Sequence, residues 1–415
     1  GSGGGTQTIL LGAIDPRVNV SFPNGMVSTS MQGGCYCENC SYLRIGTGNV
    51  ELAALFAPKP QGMTAADDWT KDMLTDGFPE LQKLYSLLGR PDNVMCGDVL
   101  RFPHNYNYVT RSMMYPWMAK HLGLPPDTPL VEQDFESFTE SEMAVWNDQH
   151  PAPTETGVPH ERDVLAWWKN QNDQALSKVL PESSAGDLTG YRNIFGGAWS
   201  VFFDRELPAT DQQVVTKIDS KSDPQIPSLT YSIRHRQWGT EFEVSVVHPD
   251  SGGENPIVVL ATDHADVPHL DIKTTYIMVP FDTTLENQPL IADTRNYSGF
   301  TFGYNRPLVT RRFEKLLCAI AAFQPKSDQS VAVHASGDFV APAAAAAWVA
   351  GRVVDDLVVR PNGLRFESVQ AYKDANFLPG AVKYFDLPGL LSLRAPLPMT
   401  IIGEANESLS LVKSV

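Results

Sequence analysis

The sequence predicts an α/β chain, and three observations predict it. A small-residue turn, Gly1-Ser2-Gly3-Gly4-Gly5-Thr6-Gln7-Thr8, runs straight into the apolar stretch Ile9-Leu10-Leu11-Gly12-Ala13-Ile14. Residues 213–247 alternate with period two, as antiparallel strands do. Residues 330–339 read as a strand entering a turn, and the small-residue helix Ala341–Gly351 follows. Antiparallel strands first, then strands alternating with helices, make a layered α/β architecture.

The opening turn carries chemistry. One serine between glycines, on a tight turn into a helix, is the shape of a nucleophile elbow. The glycines permit positive φ and close packing of helix on strand. The motif G-x-S-x-G would place Ser2 as nucleophile and Gly4 as the closing glycine, without its leading glycine. Gly1-Ser2 equally suits a vector scar, and Gly/Ser tracts suit linkers.

Two later residues extend the pattern. Asn49–Pro58 reads as a short buried strand, and the loop Lys59–Trp69 after it carries Asp67 and Asp68. An acid there could orient an imidazole, or cap a helix starting near Trp69. Asn93-Val94-Met95-Cys96 reads as another strand, followed by a loop holding His104 and then a helix from Val109 to Leu122. The order Ser, Asp, His is one of the known triad orders.

Residues 1–124 resemble the C-terminal half of a bacterial α/β-hydrolase of the acetylxylan-esterase-like type. The runs that carry the resemblance are SGGGTQT at 2–8, FPNGMVSTSMQGG at 22–34, GMTAADDWT at 62–70, GFPELQKLY at 77–85 and FPHNYNYV at 102–109. The resemblance implies Ser2 as nucleophile, His104 as general base and Asp68, in preference to Asp67, as the acid. Such a sheet has several strands before the nucleophile, and an early loop gives an oxyanion donor. Strands at 18–22, 50–56 and 92–96 alone would leave an unpaired edge. A missing N-terminal half, as another polypeptide, cut away or unnumbered, is therefore the expected partner.

Length and composition narrow the classes. At 415 residues the chain allows two to three domains. Hydrophobic residues make up 42% and charged residues 19%, the balance of a folded globular protein. A net charge of −16 disfavours nucleic acid and anionic membrane as partners. No apolar run is long enough to span a membrane. The periplasm or secretion is the expected location, while the residues leave localisation open. Cys35, Cys37 and Cys40 form a C-x-C-x2-C cluster. Metal binding, a disulfide to Cys96, or burial as small residues are the alternatives there. Cys318 sits in an apolar run and reads as inert core. No cofactor or metal is expected.

Residues 125–208 read as an acidic loop and helical linker, with helices at 161–180 and 188–207. Trp167 and Trp168 there suit the core or a domain interface, or stacking on sugar rings. Arg234-His235-Arg236 reads as a solvated strand end. Residues 209–415 read as a second, degenerate α/β-hydrolase-like unit. Its elbow position falls near Asp338-Phe339, Ser336 being two or three residues early. A strand at 397–404 ends at Glu404, and no histidine follows.

The expected function is a serine esterase, with polysaccharide acetyl or related esters as substrates by resemblance. Ser2, His104 and Asp68 would be the triad, Gly3 an oxyanion donor, and Trp69, Tyr106 and Tyr108 substrate contacts. The alternative is a non-catalytic pseudo-hydrolase scaffold or carbohydrate-binding module. A peptidase of similar fold comes third, and no propeller-period repeats are visible.

Overall fold

A computed structural model describes residues 1–125, 127–180, 188–218, 228–247, 256–261, 273–281, 297–323, 329–405 and 409–414. The chain forms two compact units. Unit 1 holds Gly1–Thr154 and Ala292–Asn305, and unit 2 holds Glu155–Ile291 and Arg306–Val415.

Unit 1 begins with α1 (Gly3–Ile14) and continues through α2 (Asn49–Ala54), β1 (Gln61–Asp67), α3 (Phe78–Leu87), β2 (Val94–Pro103), α4 (Tyr108–Leu122) and the one-turn α5 (Glu140–Met143). β1 and β2 pair in parallel, from Gln61 opposite Val94 to Ala66 opposite Val99. The segment around residues 21–24 lies parallel to the other side of β1, through bridges Ser21–Gln61 and Asn24–Thr64. Six residues of β1 are buried in succession, the mark of a strand covered on both faces. Its small residues are required: a Cβ on Gly62 would stand 2.5 Å from the Phe22 ring. The core gathers Ile9 from α1, Met26 and Val27, Val50 and Ala53 from α2, Met63 and Ala65 from β1, and Leu81 and Tyr85 from α3.

Several expectations are corrected here. Residues 50–56 are not a strand: Asn49–Ala54 is helix. The Glu51 carboxylate accepts the Gly48 N–H at 2.9 Å and caps it. The strand lies instead in the segment read as a loop, because Gly-Met-Thr-Ala-Ala lacks the β-branched run that signals one. Residues 18–22 make only an isolated bridge. No helix starts near Trp69; turns follow, and α3 starts at Phe78.

Unit 2 opens with α6 (Gly157–Ser177). This helix buries none of its residues, so Trp167 and Trp168 lie exposed outside the core. α7 (Thr189–Tyr191) passes through a π-turn into α8 (Gly197–Phe203). The strands β3 (Gln213–Ile218), β4 (Ser228–His235), β5 (Glu241–Val247), β6 (Ile257–Ala261) and β7 (Thr275–Met278) follow. The chain then adds α9 (Ser298–Phe302) to unit 1. It resumes unit 2 with α10 (Leu308–Ala322), β8 (Val331–Ser336), α11 (Val340–Ala350), β9 (Asp356–Arg360), α12 (Asp386–Ser392) and β10 (Met399–Ile401). Much of the mixed region between Ala261 and Tyr304 lies outside the described residues.

The eight strands form one sheet in the order β10-β9-β8-β6-β7-β5-β4-β3. β3, β4, β5 and β7 pair antiparallel in succession, and β7, β6, β8, β9 and β10 pair in parallel. Unit 2 is thus a mixed α/β sheet with helices packed on it. The alanines of α11 are almost wholly buried, which lets α10 and α11 lie close. Cys318 is fully buried in α10, and burial pushes its thiol up to about 12. Arg234 and Arg236 are exposed, but His235 is buried, stacked on Trp238 at 3.8 Å. No helix among the described residues is long and apolar enough to cross a membrane.

Two sets of substitutions test this packing. Trp199 is fully buried among Phe202, Phe203 and Phe366. Trp199→Ala is expected to cost about 3–5 kcal/mol in urea unfolding. In α1, a Cβ on Gly5 would stand 2.6 Å from the Asn24 carbonyl, whereas a Cβ on Gly4 meets nothing within 4 Å. Gly5→Ala is expected to destabilise by about 1–3 kcal/mol, and Gly4→Ala to be neutral or to stabilise by up to about 1 kcal/mol.

Candidate active site

The site grows from the way α1 starts. Ser2 precedes the helix with φ 52° and ψ −130°, a conformation that L-residues rarely adopt. Its carbonyl accepts the Gly5 N–H at 2.6 Å, and its N–H donates to the Asn24 carbonyl at 3.1 Å. The serine is thereby fixed between the first turn of α1 and the chain beside β1. Its side chain lies on the exposed surface. Gly3 is the first helical residue, where a backbone N–H has no partner within the helix.

β1 and β2 bring the other two residues together. Asp68 follows β1 directly and His104 follows β2 directly. His104 Nδ1 lies 2.7 Å from Asp68 Oδ2. The Asp68 side chain is only 4% exposed, against 32% for His104. Asp67 is exposed, so Asp68 is the acid that meets the histidine. Asp68 also closes its own turn: its Oδ1 accepts the Thr70 N–H at 2.7 Å and the Thr70 hydroxyl at 2.6 Å. One carboxylate oxygen thus faces the histidine and the other the turn, and the helix that a cap at this position would start is absent. With Nδ1 engaged, Nε2 is the ring nitrogen left for a substrate or nucleophile.

Gly25 stands between histidine and serine. Its φ is +74°, and a Cβ on it would lie 3.0 Å from His104 Cε1 and 3.8 Å from Ser2 N. The Gly25 carbonyl accepts the Trp69 indole N–H at 2.8 Å. That bond holds Trp69 against the imidazole, with ring centroids 4.3 Å apart. Asn24 ties the same corner to the histidine loop, donating from Nδ2 to the Asn105 carbonyl at 3.1 Å. Sequence reasoning passed over Asn24 and Gly25, although an Asn-Gly pair is a strong turn signal.

The remaining aromatics divide. Tyr106 lies by Gly1, where a Cβ would be 3.4 Å from its own. Tyr108 is 47% exposed at the start of α4 and is the outermost of the three. On the other flank is the cysteine loop. Cys37 Sγ stands 3.1 Å from the place of a Cβ on Gly3. All five cysteines are unbridged, so no disulfide joins the cluster to Cys96, which is half-buried. Behind the loop, buried Arg44 donates from Nη1 to the Glu38 carbonyl at 2.7 Å and from Nη2 to Asn49 Oδ1 at 3.1 Å.

Known proteins offer partial likenesses. No family model matches the chain, and no curated protein matches it. A solved methylesterase is 36% identical over 30% of this chain and 29% of its own, with a TM-score of 0.29. A family-15 glucuronoyl esterase from Teredinibacter turnerae is 12% identical, covering 56% of this chain and 74% of its own, with a TM-score of 0.35. A Bacteroides fragilis protein provisionally assigned as an acetyl xylan esterase is 12% identical over 58% of this chain and 76% of its own, with a TM-score of 0.34. The chain spans less than a third of the methylesterase's length.

Unit 2 has a strand-turn-helix at β8 and α11. The positive φ there belongs to Gly337, at +53°, one residue before the Asp338-Phe339 position. Ser336, one residue earlier, is extended at φ −135°, ψ 152° and buried. A Cβ on Gly337 would meet nothing within 4 Å. Glu404, beyond β10, is paired with Arg365, beyond β9, at 2.6 Å.

Gly25→Ala tests the corner. Both its backbone and its clearance to the imidazole oppose a side chain. It is expected to destabilise unit 1 by about 1–2 kcal/mol and to shift the His104 Cε1–H resonance. An unmoved His104 signal would contradict the packing described.

Proposed function

We propose that this protein is a serine hydrolase of carboxylic esters, acting at Ser2, His104 and Asp68. The observation that carries the reading is the 2.7 Å contact of His104 with a buried Asp68, at a corner shared with a serine in an elbow conformation. Ser2 Oγ attacks the ester carbonyl while His104 Nε2 takes its proton. Asp68 holds the imidazole with Nδ1 protonated and stabilises its cation. The tetrahedral oxyanion is met by the Gly3 N–H. His104 then returns the proton to the departing alcohol, leaving an acyl-serine. Water, deprotonated by the same histidine, releases the acid and restores Ser2.

For the substrate we propose an acetyl or related ester on a polysaccharide, with Trp69 and Tyr106 flanking the sugar and Tyr108 contributing at the rim. Unit 2 we read as a degenerate hydrolase-like unit without catalysis of its own. Three features support that: glycine at the residue of positive φ, an extended and buried Ser336, and an Arg365–Glu404 ion pair beyond β9 and β10.

Steady-state kinetics on a p-nitrophenyl ester test the proposal. Ser2→Ala is expected to abolish turnover. Asp68→Asn is expected to lower kcat by about 10⁴-fold by favouring the wrong tautomer, with folding unchanged by circular dichroism. Full activity in Ser2→Ala would overturn the assignment. Loss in Ser336→Ala, with Ser2→Ala intact, would move the site to unit 2.

A further inference from the structure

Cys35 and Cys37 form a pair that the proposed mechanism does not use, and their sulfurs lie 3.1 Å apart. Both residues are exposed, so an oxidant reaches them. Cys35 is extended and Cys37 lies in the single helical turn that follows, which turns the two side chains toward each other across one residue. A disulfide needs its sulfurs at about 2.05 Å, so closure asks for a movement of roughly 1 Å. The loop is braced for this. The Glu38 carboxylate accepts the Gly34 and Cys35 N–H groups, and the Glu38 N–H donates to the Cys35 carbonyl at 3.2 Å. The contact with Cys37, with partial desolvation a lesser cause, pushes the Cys35 thiol up to about 11.

The pair also touches the elbow. Cys37 Sγ packs where a side chain on Gly3 would be, and the Cys37 carbonyl accepts the Gln7 side-chain amide from α1. We infer that Cys35 and Cys37 are a disulfide-forming site whose closure resets the position of Gly3 and so the rate at Ser2. The effect on rate rests on the proposed esterase reading; the bond itself does not.

The oxidant is a small disulfide such as oxidised glutathione. The Cys37 thiolate attacks one of its sulfurs, breaking that S–S bond and releasing one thiolate. The Cys35 sulfur then attacks Cys37, forming the intramolecular bond and expelling the second thiol. Two electrons pass from the cysteine pair to the oxidant, and the two cysteine protons end on the released thiols.

The whole chain, equilibrated with reduced or oxidised glutathione, is alkylated and its peptides are mapped, while ester hydrolysis is measured on the same samples. The expected result is loss of two alkylatable thiols, Cys35 and Cys37 linked to each other, and a several-fold change in rate reversed by dithiothreitol. Cys35→Ser is expected to keep the rate of the reduced protein in both buffers. Free thiols at both positions in oxidised glutathione would overturn the inference. So would linkage of either to Cys40 or Cys96, or the expected linkage with an unchanged rate. No hydrolysis in either buffer would fall on the esterase reading, and the peptide map would still decide whether the bond forms.

Discussion

The backbone of Ser2 is the constraint on which the site depends. A non-glycine residue at φ 52° and ψ −130° is strained, and strain persists only where neighbours over-determine it. Here one neighbour is α1, whose first turn bonds to the Ser2 carbonyl, and the other is the Asn24 carbonyl, which takes its N–H. Asn24 is itself fixed by its bridge to Thr64 in β1. The serine is therefore referred to the same strand that leads directly into Asp68. That link turns three residues far apart in sequence into one corner.

The corner is economical in atoms. Gly25 has no side chain, and that lets the imidazole approach the serine's backbone. Trp69 covers one face of the imidazole while donating to Gly25, so the aromatic ring and the turn hold each other. Asp68 divides its two oxygens between Thr70 and His104. A carboxylate already pinned by its own turn has little freedom left to lose on meeting the histidine, which favours a fixed tautomer. On the far flank, the loop from Gly34 to Arg44 meets α1 through Cys37 and Gln7, so the helix start is bounded on two sides.

The residues of the candidate site are legible in the sequence because each stands at a punctuation mark: serine among glycines, aspartates before Trp69, histidine after a proline. What was not legible was the strand that unites them. β1 carries glycine, methionine, threonine and alanines, a composition chosen for burial on both faces and not for strand propensity. α2 was misread for the opposite reason, a short apolar run having no period long enough to separate helix from strand. In unit 2 the strand pattern is plainest in β5, where buried and exposed residues alternate, and the alanine run marks α11, which is buried nearly all round. His235 was read as solvated because burial by a stacked tryptophan three residues on leaves no periodic trace.

The measurement that tests the account most directly is covalent labelling of the intact chain with a fluorophosphonate, followed by peptide mapping. The account requires the adduct on Ser2 and its loss in His104→Ala, because only a serine activated by that imidazole reacts at a useful rate. An adduct on Ser336, or a folded protein that takes up no label at all, would contradict it.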